Sequence, residues 1–258
     1  MKKQELINYL DSYLENKEYK DSSKNGLQVD NSNEEILKIW YAVDASTYIF
    51  DKAIQENVDL VLTHHGIFWW HEETLTGVAY KRANKLLWNN IALYSSHIPL
   101  DAHPEVGNNI GLIKAFIRIF GLREEDYQIE NFWEYKGKTI GFWIKFKNKL
   151  HISNLVMPYA EQMQLMKKVF NFWNLTYFNS LAIISWGAAK DFIQAKNAWY
   201  DVFLTGEANH AQMIAVKEHE QTMMLWGHYE TEKIWVKLLA YHLRDKFDIK
   251  IEYLDEKY

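Results

Sequence analysis

The sequence predicts an α/β protein built from two similar domains, and three observations predict it. Short β-rich runs alternate with helical stretches along the whole chain, which implies helices layered on sheets. A strand-like segment occurs twice, as DLVLT at 59–63 and as DVFLT at 201–205, and later in each half a strand runs into a polar loop carrying histidine, LYSSH at 93–97 and LWGH at 225–228. The 258 residues, 48% hydrophobic and 16% aromatic, suffice for two cores of ordinary size. The division expected from this pattern is an amino-terminal domain over 1–126 and a carboxy-terminal domain over 127–258.

The elements follow in order. Residues 1–15 read as a charged amphipathic helix. Residues 36–43 (ILKIWYAV) read as a buried strand, after which Asp44 and Ser46 can cap a helix through about Glu56. DLVLT is a second strand, followed by a loop rich in His and Trp. A helix near 80–89 leads to a strand at 91–95. Pro99 argues against a helix across SSHIPLDAHPE, so a turn is expected there. Ile110, Ile113, Phe116, Ile117 and Phe120 recur at helical spacing over 109–120, and Gly121 ends that helix. The second half offers a strand at 139–146, a helix at 159–170, strands at 181–185 and 201–205, a further helix, a strand at 222–226, and a long helix over 231–243. Three prolines and eleven glycines are the only strong punctuation, and no linker or low-complexity segment interrupts the pattern.

Composition narrows the function classes. With no cysteine, disulfides, thiolate catalysis, Fe–S clusters and Cys-type structural zinc are excluded. A formal net charge of −5 gains nothing from phosphate counterion release, so a dedicated nucleic-acid binder is not expected. The amino terminus carries no apolar signal core, and the apolar runs fall far short of the roughly twenty residues needed to cross a bilayer. The expected setting is cytoplasmic, with no membrane contact.

Chemistry-bearing residues gather beyond predicted strand ends, where open α/β sheets place their ligands. His64-His65 stands at such an end, before Gly66, where a turn of the chain can aim both imidazoles inward. Neutral imidazoles suit Zn, Mn, Fe or Ni. His228 and Glu232 lie one helical turn apart, so both project toward one point if the helix begins near Tyr229. Asp101 follows His97 by four residues and offers either a helix cap or a metal oxygen ligand. His97 offers a ligand, an outer partner or a proton donor. The other six histidines, His71, His103, His151, His210, His219 and His242, are irregularly spread and read as solvated or locally hydrogen-bonded. Three imidazoles and two carboxylates exceed the four ligands of a closed structural zinc site and suit two cations with open positions.

NGLQV (25–29), VDLVLTHHGIFW (58–69), HIPLDAHPEVGNN (97–109), DVFLTGE (201–207) and GHYETE (227–232) together resemble the Nif-three-like dinuclear-metal-centre family, whose bacterial members are catalogued as GTP cyclohydrolase type 2 homologues. The motifs run in the family's order over nearly the whole chain. The resemblance implies two similar α/β domains with mixed sheets, a dinuclear metal site between them, and a ring-shaped homohexamer. Matched residue by residue, it places the metal ligands on His64, His65, Asp101, His228 and Glu232, with Glu232 as the bridge. The expected activity is hydrolysis supported by two divalent ions (Zn, Mn, Fe or Ni), with His97 as general acid or base and Glu207 orienting water or substrate. The catalogue name points to a purine nucleotide such as GTP, and the run Ile67-Phe-Trp-Trp70 offers rings on which a flat base could stack. A metal-bearing scaffold or regulatory ring with little turnover is the other class the residues allow.

Overall fold

A computed structural model describes residues 1–70, 74–155 and 168–256. In chain order the principal elements are α1 (Lys3–Tyr13), β1 (Gly26–Val29), β2 (Lys38–Asp44), α2 (Thr47–Gln55), β3 (Leu60–His65), α3 (Gly77–Trp88), β4 (Ala92–Ser95) and α4 (Ile98–Ala102). There follow α5 (Asn108–Ile119), β5 (Tyr127–Tyr135), β6 (Lys138–His151), β7 (Lys168–Asn171), β8 (Tyr177–Ile183) and α6 (Phe192–Asn197). The chain continues through β9 (Val202–Thr205), α7 (His210–Glu218), β10 (Thr222–Leu225), α8 (His228–Phe247) and β11 (Lys250–Tyr253). Two compact units result, one of residues 1–107 with 235–258 and one of residues 108–234.

The first unit holds a mixed five-stranded sheet in the order β1-β4-β3-β2-β11. β11, β2, β3 and β4 are parallel and β1 is antiparallel to β4. Side chains alternate across it as the pleat requires. Trp40, Ala42, Val61 and Leu93 join one apolar core with Ile49, Phe50 and Ala53 of α2 and Leu86 of α3. The Ser46 hydroxyl accepts the Ile49 N–H and starts α2, as its place in the sequence predicts. Asp44, also expected to cap, stays in β2 and turns to a histidine instead.

The second unit holds a mixed six-stranded sheet in the order β5-β6-β8-β9-β10-β7. β8, β9 and β10 are parallel, while β5, β6 and β7 join antiparallel. Helix α5 packs on β6, where Phe116 stacks on Phe146 at 5.4 Å and Phe146 meets Phe178 edge-on at 5.8 Å. Gly121 takes φ +59° just past the helix, the left-handed position glycine adopts without strain.

The repeated DLVLT and DVFLT segments do the same work in each unit. Both are parallel strands between two parallel neighbours. The aspartate before each strand ties down the start of the preceding one. One Asp59 oxygen accepts the N–H groups of Leu37 and Lys38, both at 2.9 Å, and one Asp201 oxygen accepts those of Asn179 and Ser180 at 2.7 and 3.2 Å. A hydrogen bond to a charged acceptor contributes about 1.5–3 kcal/mol. Asp59→Ala and Asp201→Ala are each expected to lower unfolding free energy by about 2 kcal/mol. A denaturant midpoint unchanged in either variant would remove that role.

Three local expectations change. Residues 64–65 belong to strand β3 rather than to the loop beyond it. Pro99 does not prevent a helix, because it sits in the first turn of α4, where its missing N–H costs nothing. Asp101 therefore lies inside a short helix and is fully buried. Of the helix expected at 159–170, residues 159–167 lie outside the described residues and 168–170 are strand. Among the described residues, no helix is long and apolar enough to cross a membrane.

Candidate metal centre

In the first unit, His64 and His65 end β3, and His97 lies just beyond the neighbouring β4 at the entrance to α4. Adjacent residues of a strand ordinarily face apart, but at this strand end the two rings come within 4.6 Å, centroid to centroid. The His97 ring lies 4.9 Å from His64 and 5.6 Å from His65. Ligand atoms of all three imidazoles fall within 4.8 Å of one another. Asp101, one turn into α4, brings an oxygen to 3.6 Å from His64 Nε2, and both side chains are fully buried.

The three imidazoles share one hydrogen-bonding polarity, although their planes are tilted by 45–53° to one another. His64 Nδ1–H donates to the Ser96 carbonyl at 3.0 Å. His65 Nδ1–H donates to Asp44 Oδ1 at 2.8 Å, and His97 Nδ1–H to Asp21 at 3.0 and 3.2 Å. Each acceptor is a carbonyl or carboxylate oxygen, which cannot donate, so the proton sits on Nδ1. The lone pair of the neutral ring is then on Nε2, the tautomer a Lewis acid takes. His103 is the contrast. Its Nδ1 accepts from the Glu105 and Val106 N–H groups while Nε2–H donates to the Tyr13 carbonyl, so both nitrogens serve local structure. His219 and His242 are likewise engaged locally, by the Ala215 carbonyl and the Tyr9 hydroxyl.

The residues framing this cluster come from the NGLQV motif and the segment before it. Asn25 accepts the His97 N–H through Oδ1 at 2.8 Å and donates to Asp21 Oδ2 at 2.9 Å. Gln28 Oε1 accepts the N–H groups of Ile67 and Phe68 at 2.7 and 3.2 Å, and a Cβ on Gly66 would strike the same side chain. The chain just past His65 is thus pinned against β1. Of the aromatic run, Trp69 is the ring that meets the imidazoles, edge-on to His97 at 5.2 Å, whereas Trp70 is exposed. Asp21 was invisible to motif reading, because a lone aspartate in DSSKNG reads as turn chemistry. A signal does exist there, in that Asp21 precedes Asn25 by four residues. Burial alone would raise the Asp21 carboxyl, but the His97 hydrogen bond and charge, the Asn25 amide and the Ile98 N–H outweigh it and hold it well below the carboxylate range.

In the second unit, α8 begins at His228, directly after β10 and Gly227. His228 Nδ1–H donates to Glu207 Oε1 at 2.9 Å, and Nε2 lies 3.1 Å from Glu232 Oε1 one turn along the helix. Glu232 is fully buried, while Glu207, just past β9, is largely exposed. Burial pulls the His228 imidazole down, but the two carboxylates outweigh it and push it up to about 9. A metal that takes Nε2 must displace that proton.

In each unit, imidazole nitrogens and a buried carboxylate offer donors that could hold a metal ion. Each structural unit, taken by itself, carries such groups at the carboxyl ends of its parallel strands.

Known proteins match the chain over its whole length. The family model described as Duf34/NIF3 (NGG1p interacting factor 3) matches residues 1–257. A protein of Pyrococcus abyssi named GTP cyclohydrolase 1 type 2 homolog is 35% identical over 255 residues, covering 99% of this chain and 98% of its own. Among solved structures, the protein ybgI, described as of unknown function, superposes with a TM-score of 0.87 at 26% identity, covering 100% of this chain and 99% of its own. TTHA1606 from Thermus thermophilus superposes with a TM-score of 0.84 at 30% identity over the same shares of the two chains.

Proposed function

Because this chain belongs to the Duf34/NIF3 family, we propose that it is a divalent-metal-dependent hydrolase whose ions are held by His64, His65 and Asp101 of the first unit and by His228 and Glu232 of the second. The observation that carries this reading is the common polarity of the histidines. Four imidazoles, His64, His65, His97 and His228, each give Nδ1–H to an oxygen acceptor. An oxygen acceptor behind Nδ1 fixes each ring's orientation and directs metal ligation to Nε2, as is common for metal-bound histidines.

Bound divalent ions would supply a water of lowered pKa and stabilise the negative charge that develops on the attacked group. The chain's own contribution is to fix the ligands. Asp44, the Ser96 carbonyl and Glu207 lock ring orientation, and the buried carboxylates of Asp101 and Glu232 offset cation charge where water cannot. Glu207 Oε1 braces His228, and Oε2 of the same exposed side chain is the atom we assign to orienting the attacking water or the substrate. Trp69, beside His97 and His65, offers the ring against which a flat base can lie. The name of the Pyrococcus relative makes a purine nucleotide the first substrate class to test. Self-association to a homohexamer belongs to the same reading.

The experiment is metal analysis joined to turnover. Purified under metal-replete conditions, the protein should carry close to two ions per chain. Hydrolysis of a nucleotide panel should stop on chelation, return with Zn, Mn, Fe or Ni, and depend on His64 and His228. A full panel without turnover that depends on those two residues would overturn the hydrolase reading. Turnover that survived complete chelation would overturn the metal dependence.

A further inference from the structure

His97 is the one imidazole of the first unit's cluster to which the ligand set above gives no role. Its surroundings are built as carefully as those of His64 and His65. The backbone N–H is held by Asn25, and the ring Nδ1–H by both oxygens of Asp21. Asp21 itself is almost wholly buried, and it accepts from Asn25 Nδ2 and the N–H groups of Ser22, Ser23 and Ile98 at 2.6–3.2 Å. A carboxylate with so many donors is a fixed anion, and a fixed anion behind Nδ1 specifies one tautomer and one ring orientation for His97.

The His97 ring belongs to the group of three imidazoles that each offer a nitrogen within 4.8 Å of the others, and with Nδ1 engaged by Asp21 the nitrogen left for a metal is Nε2. Nitrogens sharing one tetrahedral ion, at bonds of about 2.0–2.1 Å, stand about 3.3 Å apart. Proton transfer alone would not require His97 to share its tautomer with two neighbouring imidazoles. Three imidazoles that differ in their Nδ1 partners yet present Nε2 alike are instead a preorganised nitrogen face.

We propose that His97 supplies a third imidazole nitrogen to the metal held by the first unit, and that Asp21 is the positioning residue that aims it. The proposal rests on the metal-centre reading above and deepens it. Three neutral nitrogens favour a borderline transition ion such as Zn²⁺ over Mg²⁺ or Ca²⁺.

The test uses the full chain, stripped of metal and titrated with Zn²⁺ against a chromophoric chelator. The Co²⁺-loaded protein is examined by visible spectroscopy and X-ray absorption. His97→Ala should weaken Zn²⁺ binding at least tenfold, change the Co²⁺ ligand-field bands and lower the imidazole count by one. Asp21→Asn should weaken binding by about 10- to 100-fold, the range for an outer partner of a ligand, and Asp21→Glu should recover part of it. Should His97→Ala fail to fold, His97→Gln keeps a donor for Asp21 and gives the same readouts. His64→Ala is the reference for the site itself. If it loses the metal while the His97 and Asp21 variants keep wild-type affinity and spectra, His97 is not a ligand and the proposal falls alone. A wild-type chain that binds neither ion overturns the proposal and the metal-centre reading together.

Discussion

Glu232→Gln should cost the protein both of the metal ions proposed above while leaving it folded. Glu232 is fully buried in the second turn of α8, 3.1 Å from His228 Nε2. The amide matches the carboxylate in shape, so packing around it survives. What changes is charge. A carboxylate offers two anionic oxygens and can span two cations, whereas an amide offers one neutral oxygen and a donor that a cation repels. If Glu232 bridges, one substitution affects both positions. The loss of affinity should exceed the roughly 10- to 100-fold typical of removing an outer partner. Asp101→Asn, by the same reasoning, should weaken one ion and spare the other. The measurement is stoichiometric titration of metal-free protein, with circular dichroism as the check on folding. A Glu232→Gln protein that bound two ions per chain at unchanged affinity would exclude the bridging role.

Much of this architecture was legible because local and long-range preferences agree. Residues 36–43, 59–63 and 91–95 combine β-propensity with continuous apolar character, and such runs are what a parallel strand buried on both faces requires. The duplicated DLVLT and DVFLT segments were legible for the same reason, and their aspartates show that the likeness reaches to hydrogen bonds. The pairing of Lys250–Tyr253 with β2 was not legible. Four residues carry little periodicity, and nothing local names a partner more than two hundred positions away. Helix α4 escaped because a proline was weighed as a breaker without regard to its place in the first turn. In the site, histidines and acids in motifs stood out by residue type. Their supports did not, since Asp21, Asn25, Gln28 and Asp44 read singly as turn, cap or surface residues. Their meaning comes from which ring or loop they touch, and only the fold supplies that.

The units also differ at corresponding positions. Thr63 and Thr205 close the repeated DLVLT and DVFLT segments of β3 and β9, and the next residue is His64, still in β3, in one unit and Gly206, just past β9, in the other. The first unit uses that position for an imidazole of the proposed metal centre. The second uses it for closeness, for the Gly206 N–H donates to the Trp186 carbonyl at 2.7 Å and its own carbonyl accepts from Gly227 N–H at 2.8 Å. The chain crosses there directly beneath the start of α8, which is how His228 comes to lie against Glu207.

Gly206→Ala should therefore disturb the His228–Glu232 pair of the second unit with a single methyl group. A Cβ at Gly206 would lie 2.5 Å from the Trp186 carbonyl oxygen, 2.8 Å from His228 Cα and 2.9 Å from Thr231 Oγ1. Two of those atoms are backbone and cannot rotate aside, so the strand end and the helix start must part. Overpacking of this kind costs about 1–3 kcal/mol and occasionally more. The same movement carries His228 away from Glu207 and shifts the start of α8, from whose second turn Glu232 projects. The effect is steric, since the Gly206 backbone is not in the left-handed region. Gly137→Ala makes the matching control, because Gly137 has φ +86° but no atom within 4 Å of an added Cβ. That variant should lose about 1 kcal/mol through conformation alone and keep its metals. Gly206→Ala should lose more stability in denaturant and should bind Zn²⁺ far more weakly. If both variants unfolded at the wild-type midpoint and bound metal equally well, the close crossing at Gly206 would have no part in holding His228 and Glu232 in place.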